Sequence, residues 1–218
     1  MSKQKRHSGL LITLEGIDFS GKSSQAQLLF DKLREKVGTA NQDSVLLLRE
    51  PGGTPISERI RAILLDRSLS MMAPMTELLL YEAARTQLIA EIILPALEKG
   101  QLVICDRFYD SSTAYQGYAR GIPLTTIKQA HEIATLGIRP DVTFVIDLDP
   151  IIAMMRQKNA GRNVDRMESE GLAFYQSVRQ GFLQIAQEEP DRVIVVDGSQ
   201  TIGAIFAEIW RIIQKKIR

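Results

Sequence analysis

Residues 16–23 read Gly-Ile-Asp-Phe-Ser-Gly-Lys-Ser, a Gly-x4-Gly-Lys-Ser spacing placed directly after the apolar run "LLITLE". Gly16 and Gly21 permit backbone dihedrals that turn successive N–H groups toward one anion. A helix starting near Gly21 adds its positive end. Lys22 reaches the outer phosphates of a nucleotide, and the Ser23 hydroxyl is suited to ligate magnesium. The stretch Gly16, Ile17, Asp18, Phe19, Ser20, Gly21, Lys22, Ser23 is therefore the candidate nucleotide-binding loop, and its strand-before, helix-after context is present. The loop alone does not say where the phosphate goes. A GTPase switch would carry a guanine-reading Asn-Lys-x-Asp late in the chain, and the sequence has none. A generic ATPase needs a water-positioning group and usually a larger assembly.

Three further stretches point to a small-molecule acceptor. "REPGGT" (49–54) ends an apolar run, where ligands sit in open parallel sheets, and Arg49 beside the Gly-Gly turn is suited to touch an anion. In "LLLYEAARTQ", Tyr81 and Arg85 stand four apart and share a helix face. A ring and a guanidinium so placed can stack on a base and hydrogen-bond its edge, although a core role for the tyrosine fits the same pattern. In "CDRFYDSSTAYQGYARG" (105–121), Asp106 closes an apolar strand, from which a carboxylate can reach magnesium. Arg107, Asp110, Ser111, Ser112, Tyr115, Gln116 and Arg120 follow, a polar density that suggests a binding surface. Asp147, ending "FVID", competes with Asp106 for the metal.

The elements that must position these groups alternate along the chain. Runs at 10–15, 44–50, 101–106, 142–148 and 191–198 are apolar almost throughout, as strands covered on both faces should be. Helical patterns occupy 22–37, 56–65, 76–98 and 123–136. A last helix carries Ile202, Ile205, Phe206, Ile209 and Ile213 at three-four spacing. The order predicts an α/β layered fold with a mainly parallel sheet. The segment 156–171 is polar, glycine-containing and basic, and is expected to be a mobile flap, with the whole lid at about 153–171. Residues 1–8 are expected to be a flexible basic tail, and 9–218 a single domain.

Composition narrows the class. A net charge of +1 advertises neither a nucleic-acid surface nor an anionic-membrane surface. The apolar run after the basic start is broken at Glu15–Gly16, too early for a signal peptide. No stretch approaches the roughly 18 apolar residues of a membrane span. Cys105 is the single cysteine, so neither an internal disulfide nor a cysteine metal cluster is available. A cytoplasmic protein is expected.

The set "EGIDFSGKSS", "REPGGT", "YEAAR", "DRFYDSSTAYQG", "PDVTFVIDLD" and "DRMESEGLAFYQSVR" resembles, in order and spacing, the bacterial thymidylate kinases. The resemblance covers nearly all of 9–215. It implies a three-layer P-loop NTPase fold with a five-stranded, mainly parallel sheet and a short basic lid. It also implies transfer of the ATP γ-phosphoryl group to deoxythymidine monophosphate (dTMP) by a homodimer. By that resemblance Gly16–Ser23 would hold ATP, and Asp18 would face the acceptor sugar and phosphate. Arg107, helped by Arg49, would hold the acceptor phosphate; Asp106 with Ser23 would serve magnesium. Arg85 would read the thymine carbonyl, and Tyr81, where the family usually has Phe, would stack on the base. Tyr115 would crowd the 2′ position, and Ser112 and Gln116 would lie near the base. Phe19 departs from the pattern, since most members have a small residue there, and Ser24 replaces the common Thr.

Such a reaction needs little acid–base machinery. The acceptor is a phosphate monoester with a second pKa of about 6, mostly a dianion at neutral pH. The two histidines, His7 and His131, are read as tail and helix surface. Catalysis should come from positioning and charge stabilisation by magnesium, Lys22 and arginines. In the family an arginine comes either from the phosphate loop or from the flap. Here the loop interior has no basic residue, whereas 153–166 holds Arg156, Lys158, Arg162 and Arg166 against Asp165 alone. The flap is expected to close over ATP and supply the missing guanidinium from Arg156, Arg162 or Arg166. Competing readings are a kinase for another nucleoside monophosphate or a deoxynucleoside, and a silent nucleotide sensor. Acceptor-dependent ADP formation separates them.

Overall fold

The computed structural model describes residues 8–161 and 165–217. The expected tail therefore lies, except for Ser8, outside the described residues, as does Arg162 of the expected lid. In chain order the elements are β1 (Leu10–Glu15), α1 (Lys22–Val37), β2 (Val45–Arg49), α2 (Pro55–Leu65), α3 (Pro74–Leu88), α4 (Leu94–Glu98) and β3 (Leu102–Asp106). After these come α5 (Tyr109–Ser112), α6 (Leu124–Ala134), β4 (Val142–Asp147), α7 (Pro150–Asn159), α8 (Leu172–Glu188), β5 (Val193–Asp197) and α9 (Ile202–Lys216).

The sheet order is β2-β3-β1-β4-β5 and every pairing is parallel, with Leu10 opposite Leu102 and Thr143 opposite Val193. All five strands thus end on one side, and the loops carrying Gly16, Arg49, Arg107 and Asp147 gather there. Adjacent strand residues point to opposite faces. Ile12, Leu14 and Ile104 pack under α1 and α9 with Leu29, Leu33, Ile205 and Ile209, while Leu11 and Val103 pack with Leu88, Ile93 and Leu97 on the other face. A third cluster joins Val145 and Leu148 to Tyr175, Val178 and Phe182 of α8. Helices therefore cover both sheet faces, which is why the strands read as continuous apolar runs.

Three differences from the expected elements have local causes. The helix expected over 76–98 is interrupted by a π-helical turn at Ile89–Ile93. Pro95 has no N–H to give the carbonyl four residues back, and its ring crowds that carbonyl, so the ladder shifts there. The start of the expected flap is helix α7, capped by Asp149 accepting from the Ile151 N–H with Pro150 at the first helical position. Helix α8 is a further element not foreseen. Its buried Tyr175, Val178, Phe182 and Ile185 recur at three-four spacing.

Candidate active site

The strand β1 delivers the phosphate loop and α1 receives it. Gly16 lies at φ +138, and a Cβ there would stand 2.6 Å from the Ile146 carbonyl oxygen. Gly21 at φ +100 caps α1 with open space beside it, so its requirement is conformational. Ile17 is buried in the core and anchors the loop from below. Asp18, Phe19, Ser20, Gly21, Lys22 and Ser23 line one cavity of about 770 Å³. Lys22 folds back, donating Nζ to the Ile17 carbonyl at 3.3 Å, with Asp18 at 3.8 Å. Burial and the nearby Arg107 push the Lys22 ammonium below its ordinary pKa, opposed by Asp18, Asp106 and Glu15.

Asp106, at the end of β3, meets the loop: the Ser23 hydroxyl donates to its Oδ2. Its Oδ1 is buried without a hydrogen-bond partner. An oxygen pair with an unspent acceptor suits magnesium, which takes a carboxylate or two and completes its shell with phosphate and water. Among the described residues no cluster of three His, Cys, Asp or Glu side chains could hold a metal by itself. Asp147, the rival expected from the sequence, is occupied by Arg179, which donates through Nε at 2.7 Å and Nη2 at 2.8 Å. This fork-on-carboxylate pair ties β4 to α8.

Arg107 sits at the junction of the loop and the wall formed by Tyr81, Ser112, Tyr115 and Gln116. Its backbone takes φ +72, a left-handed conformation that costs a residue with a Cβ. The Arg107 N–H donates to the Leu14 carbonyl at 3.0 Å and fixes that turn. Its Nη1 donates to the Gly16 carbonyl and the Ser111 hydroxyl, each at 3.0 Å, and its Nη2 to Asp18 at 2.7 Å and the Tyr115 hydroxyl at 3.1 Å. Tyr115 and Tyr175 both donate to the other Asp18 oxygen, at 3.0 and 3.2 Å. Burial alone would raise the Asp18 carboxyl, but Arg107 and Lys22 overcome it and hold the group ionised well below the usual range. Beneath this set, Glu15 accepts from the Phe108 N–H and the Ser111 hydroxyl. Burial, then the neighbouring Asp110, raises its pKa.

That wall is mixed. Tyr81, Ser112, Tyr115 and Gln116 line the cavity, and so does Arg49, whose Nη2 donates to both Glu58 carboxylate oxygens at 3.0 and 2.9 Å. Arg85, placed in the sequence reading against the base, does not line the cavity. It is buried behind it, paired with Glu50 at 2.7 Å and with Glu82, and it reaches the cavity lining through Glu50 and through the Ser112 hydroxyl at 3.1 Å. Burial works against the guanidinium, and the two carboxylates more than restore it, so its pKa stands above the ordinary value.

The flap arginines separate. Arg156 on α7 lines the cavity beside the phosphate loop, its Nη1 donating to the Phe19 and Ser20 carbonyls and its Nη2 to Gly198. Arg166 does not line the cavity. It turns the other way, donating to the Leu64 carbonyl at 2.8 Å and to Glu77 at 2.6 Å. Glu77 also accepts from Gln116 and Arg120, so a buried carboxylate outcompetes the solvent-facing position that a basic run suggests. Arg162 lies outside the described residues.

Several cavity residues were not foreseen: Glu50, Arg61, Leu65, Asp165, Glu168 and Gln200. Arg61 had a local signal, three residues after Glu58 on the same face of α2. Tyr175 had a signal only as part of the apolar stripe of α8.

A family profile described as thymidylate kinase matches residues 14–209. A thymidylate kinase of Caldanaerobacter subterraneus subsp. tengcongensis is 44% identical over 210 residues, 96% of this chain and 97% of that protein. One from Syntrophotalea carbinolica is 45% identical over 204 residues, 91% and 92% of the two chains. Among solved structures, thymidylate kinase from Ehrlichia chaffeensis superposes with a TM-score of 0.77 at 36% identity, covering 94% of this chain and 98% of that one.

Proposed function

The chain belongs to the thymidylate kinase family, and from that premise we infer how its residues carry ATP-dependent phosphorylation of dTMP to dTDP. One observation bears most of the weight: the phosphate loop and the Tyr81–Ser112–Tyr115 wall share a single cavity, with Arg107 and Asp18 between them.

ATP lies with its phosphates over Gly21, Lys22 and Ser23, at the positive end of α1. The acceptor phosphate takes Arg107 as its main cation, with Arg49 and Arg61 on the same wall. The acceptor oxygen needs no base, since a phosphate dianion is already a nucleophile. What the protein must supply is alignment of two polyanions and cations at the transferring group. Lys22 and Arg156 serve the donor side, and Asp18 holds Arg107 in register. Ser23 and Asp106 would hold magnesium, which when bound neutralises charge on the transferring phosphates. Tyr81 stacks on the base, with Ser112 and Gln116 at its edge. Arg85 acts through the two lining groups it holds, Glu50 and Ser112. Tyr115 closes the sugar site against a 2′-hydroxyl.

The working unit we propose is a homodimer. Ile56, Ile63, Leu69, Met71, Met75 and Leu79 are exposed on or between α2 and α3, a patch that a second copy would cover. Among the described residues no helix is long and apolar enough to cross a membrane; a cytoplasmic single-domain enzyme is the proposed setting.

The test is ADP formation with magnesium-ATP and a panel of nucleoside monophosphates. Selective turnover with dTMP is expected. Preference for another acceptor, or binding without acceptor-dependent ADP, overturns the assignment.

A further inference from the structure

Phe19 stands inside the phosphate loop at φ +62, a left-handed backbone that favours glycine. A glycine would adopt this turn without cost, so the side chain must contribute something that offsets the strain. The ring is half-buried rather than free in the cavity. It packs against the cluster that includes Ala153 of α7 and Tyr175 of α8. It also borders a small crevice shared with Ala153, Met154 and Gln157. Ala153, Arg156 and Gln157 are three and four apart on α7 and share one face. That face meets Phe19 twice. Its apolar part meets the ring, and Arg156 donates to the Phe19 carbonyl at 3.2 Å and the Ser20 carbonyl at 3.4 Å.

We propose that Phe19 is a positioning residue whose ring docks α7 onto the phosphate loop and so sets where Arg156 stands over the donor phosphates. The loop interior, Ile17 to Ser20, has no basic residue, and the ring within it fixes instead the helix that brings a guanidinium. This inference rests on the phosphoryl-transfer assignment above and goes beyond it in giving Phe19 a role in the transfer step. It places a coupling between two residues: losing the ring should cost what losing Arg156 costs, and losing both should cost little more.

The experiment is a kinetic cycle of Phe19→Gly, Phe19→Leu, Arg156→Ala and the Phe19→Gly/Arg156→Ala double variant, each checked for a cooperative melt. Phe19→Gly should lower kcat about tenfold or more while the KM for dTMP stays within about twofold, as expected of a misplaced group rather than a lost binding contact. Phe19→Leu, which keeps bulk against Ala153, should recover most of that loss. The double variant should be no slower than Arg156→Ala alone by more than about twofold. Additive losses in the cycle, or Phe19→Gly with kcat within about twofold of the unaltered chain, overturn the proposal. If Phe19→Gly does not fold, the comparison of Phe19→Leu with Phe19→Ala decides, and equal kcat values overturn it. Absence of dTMP turnover in the unaltered chain would instead sink the activity assignment, a separate outcome.

Discussion

Arg107 donates to Asp18 at 2.7 Å, joining the loop after β3 to the loop after β1 across the floor of the cavity. The same guanidinium lies 5.0 Å from the centre of the Tyr115 ring. A planar fork is required to reach Asp18, Gly16, Ser111 and Tyr115 together, and an ammonium cannot reproduce it. Arg107→Lys should keep the charge and still lower kcat/KM for dTMP by about a hundredfold, within the range for a broken buried charge pair. Steady-state kinetics with varied dTMP measure this, and a loss below about threefold would remove Arg107 from the centre of the site.

Asp106 and Asp147 both end strands at the C-terminal end of the sheet, yet Asp106 Oδ1 has no hydrogen-bond partner whereas both Asp147 oxygens accept from Arg179. Asp106→Asn should raise the magnesium concentration needed for half-maximal activity by about tenfold or more, at least the effect of losing an outer-sphere partner. Asp147→Asn should leave that requirement unchanged and lower thermal stability only. Paired magnesium titrations and melts check both halves of the statement.

Glu50 is buried against Arg85, and burial pushes its carboxyl up to about 7, with Arg85 opposing the rise. An acid whose folded pKa exceeds its unfolded one binds more protons when folded, so stability falls as pH rises between the two values. For Glu50 the window runs from 4.5 to about 7. Burial also acts on Glu82, but Arg85 and His131 reverse it and bring the group to about 2, so its contribution is present above its ordinary value and lost as pH falls toward 2. Glu50→Gln should gain on the unaltered chain between pH 5 and pH 8 by an amount on the order of 1–3 kcal/mol. Denaturant melts at the two pH values measure the difference, and parallel behaviour would refute the shifted titration.

Glu77 collects Gln116, Arg120 and Arg166 on one buried carboxylate, tying the later part of the expected lid to α3 and to the Gln116 wall of the cavity. Glu77→Ala strands the Arg166 guanidinium in a buried position. The expected cost is about 3 kcal/mol of stability, read from urea unfolding. Glu77→Gln should recover part of it, because one hydrogen-bond acceptor remains.

The strands, their parallel arrangement and the phosphate loop were legible because they rest on local signals: continuous apolar runs and a fixed Gly-Lys-Ser spacing. Helix α7 has a start signal in Asp149-Pro150, but its Ile151, Ile152 and Met155 are exposed, so its apolar residues form no single buried stripe to read. Helix α8 carried a clear apolar stripe and was still passed over. The pairings of Arg85 with Glu50 and of Arg166 with Glu77 span 35 and 89 residues. No spacing rule connects such partners, so a guanidinium facing a ligand and one buried on a carboxylate look alike in sequence. For the same reason the basic run 156–166 divides: Arg156 turns to the phosphate loop and Arg166 to a buried acid.

The strand order places β1 at the centre of the sheet, flanked by β3 and β4. Leu10 therefore waits for Leu102, and Ile12 for Val142, before either has its ladder partner. On a ribosome the middle of the sheet is made first and its neighbours much later. The apolar stretch that carries the phosphate loop thus emerges with only α1 to cover it and long before its ladder partners exist, and folding is tied to late, distant pairings. Even β2, the next strand made, pairs with β3 and not with β1.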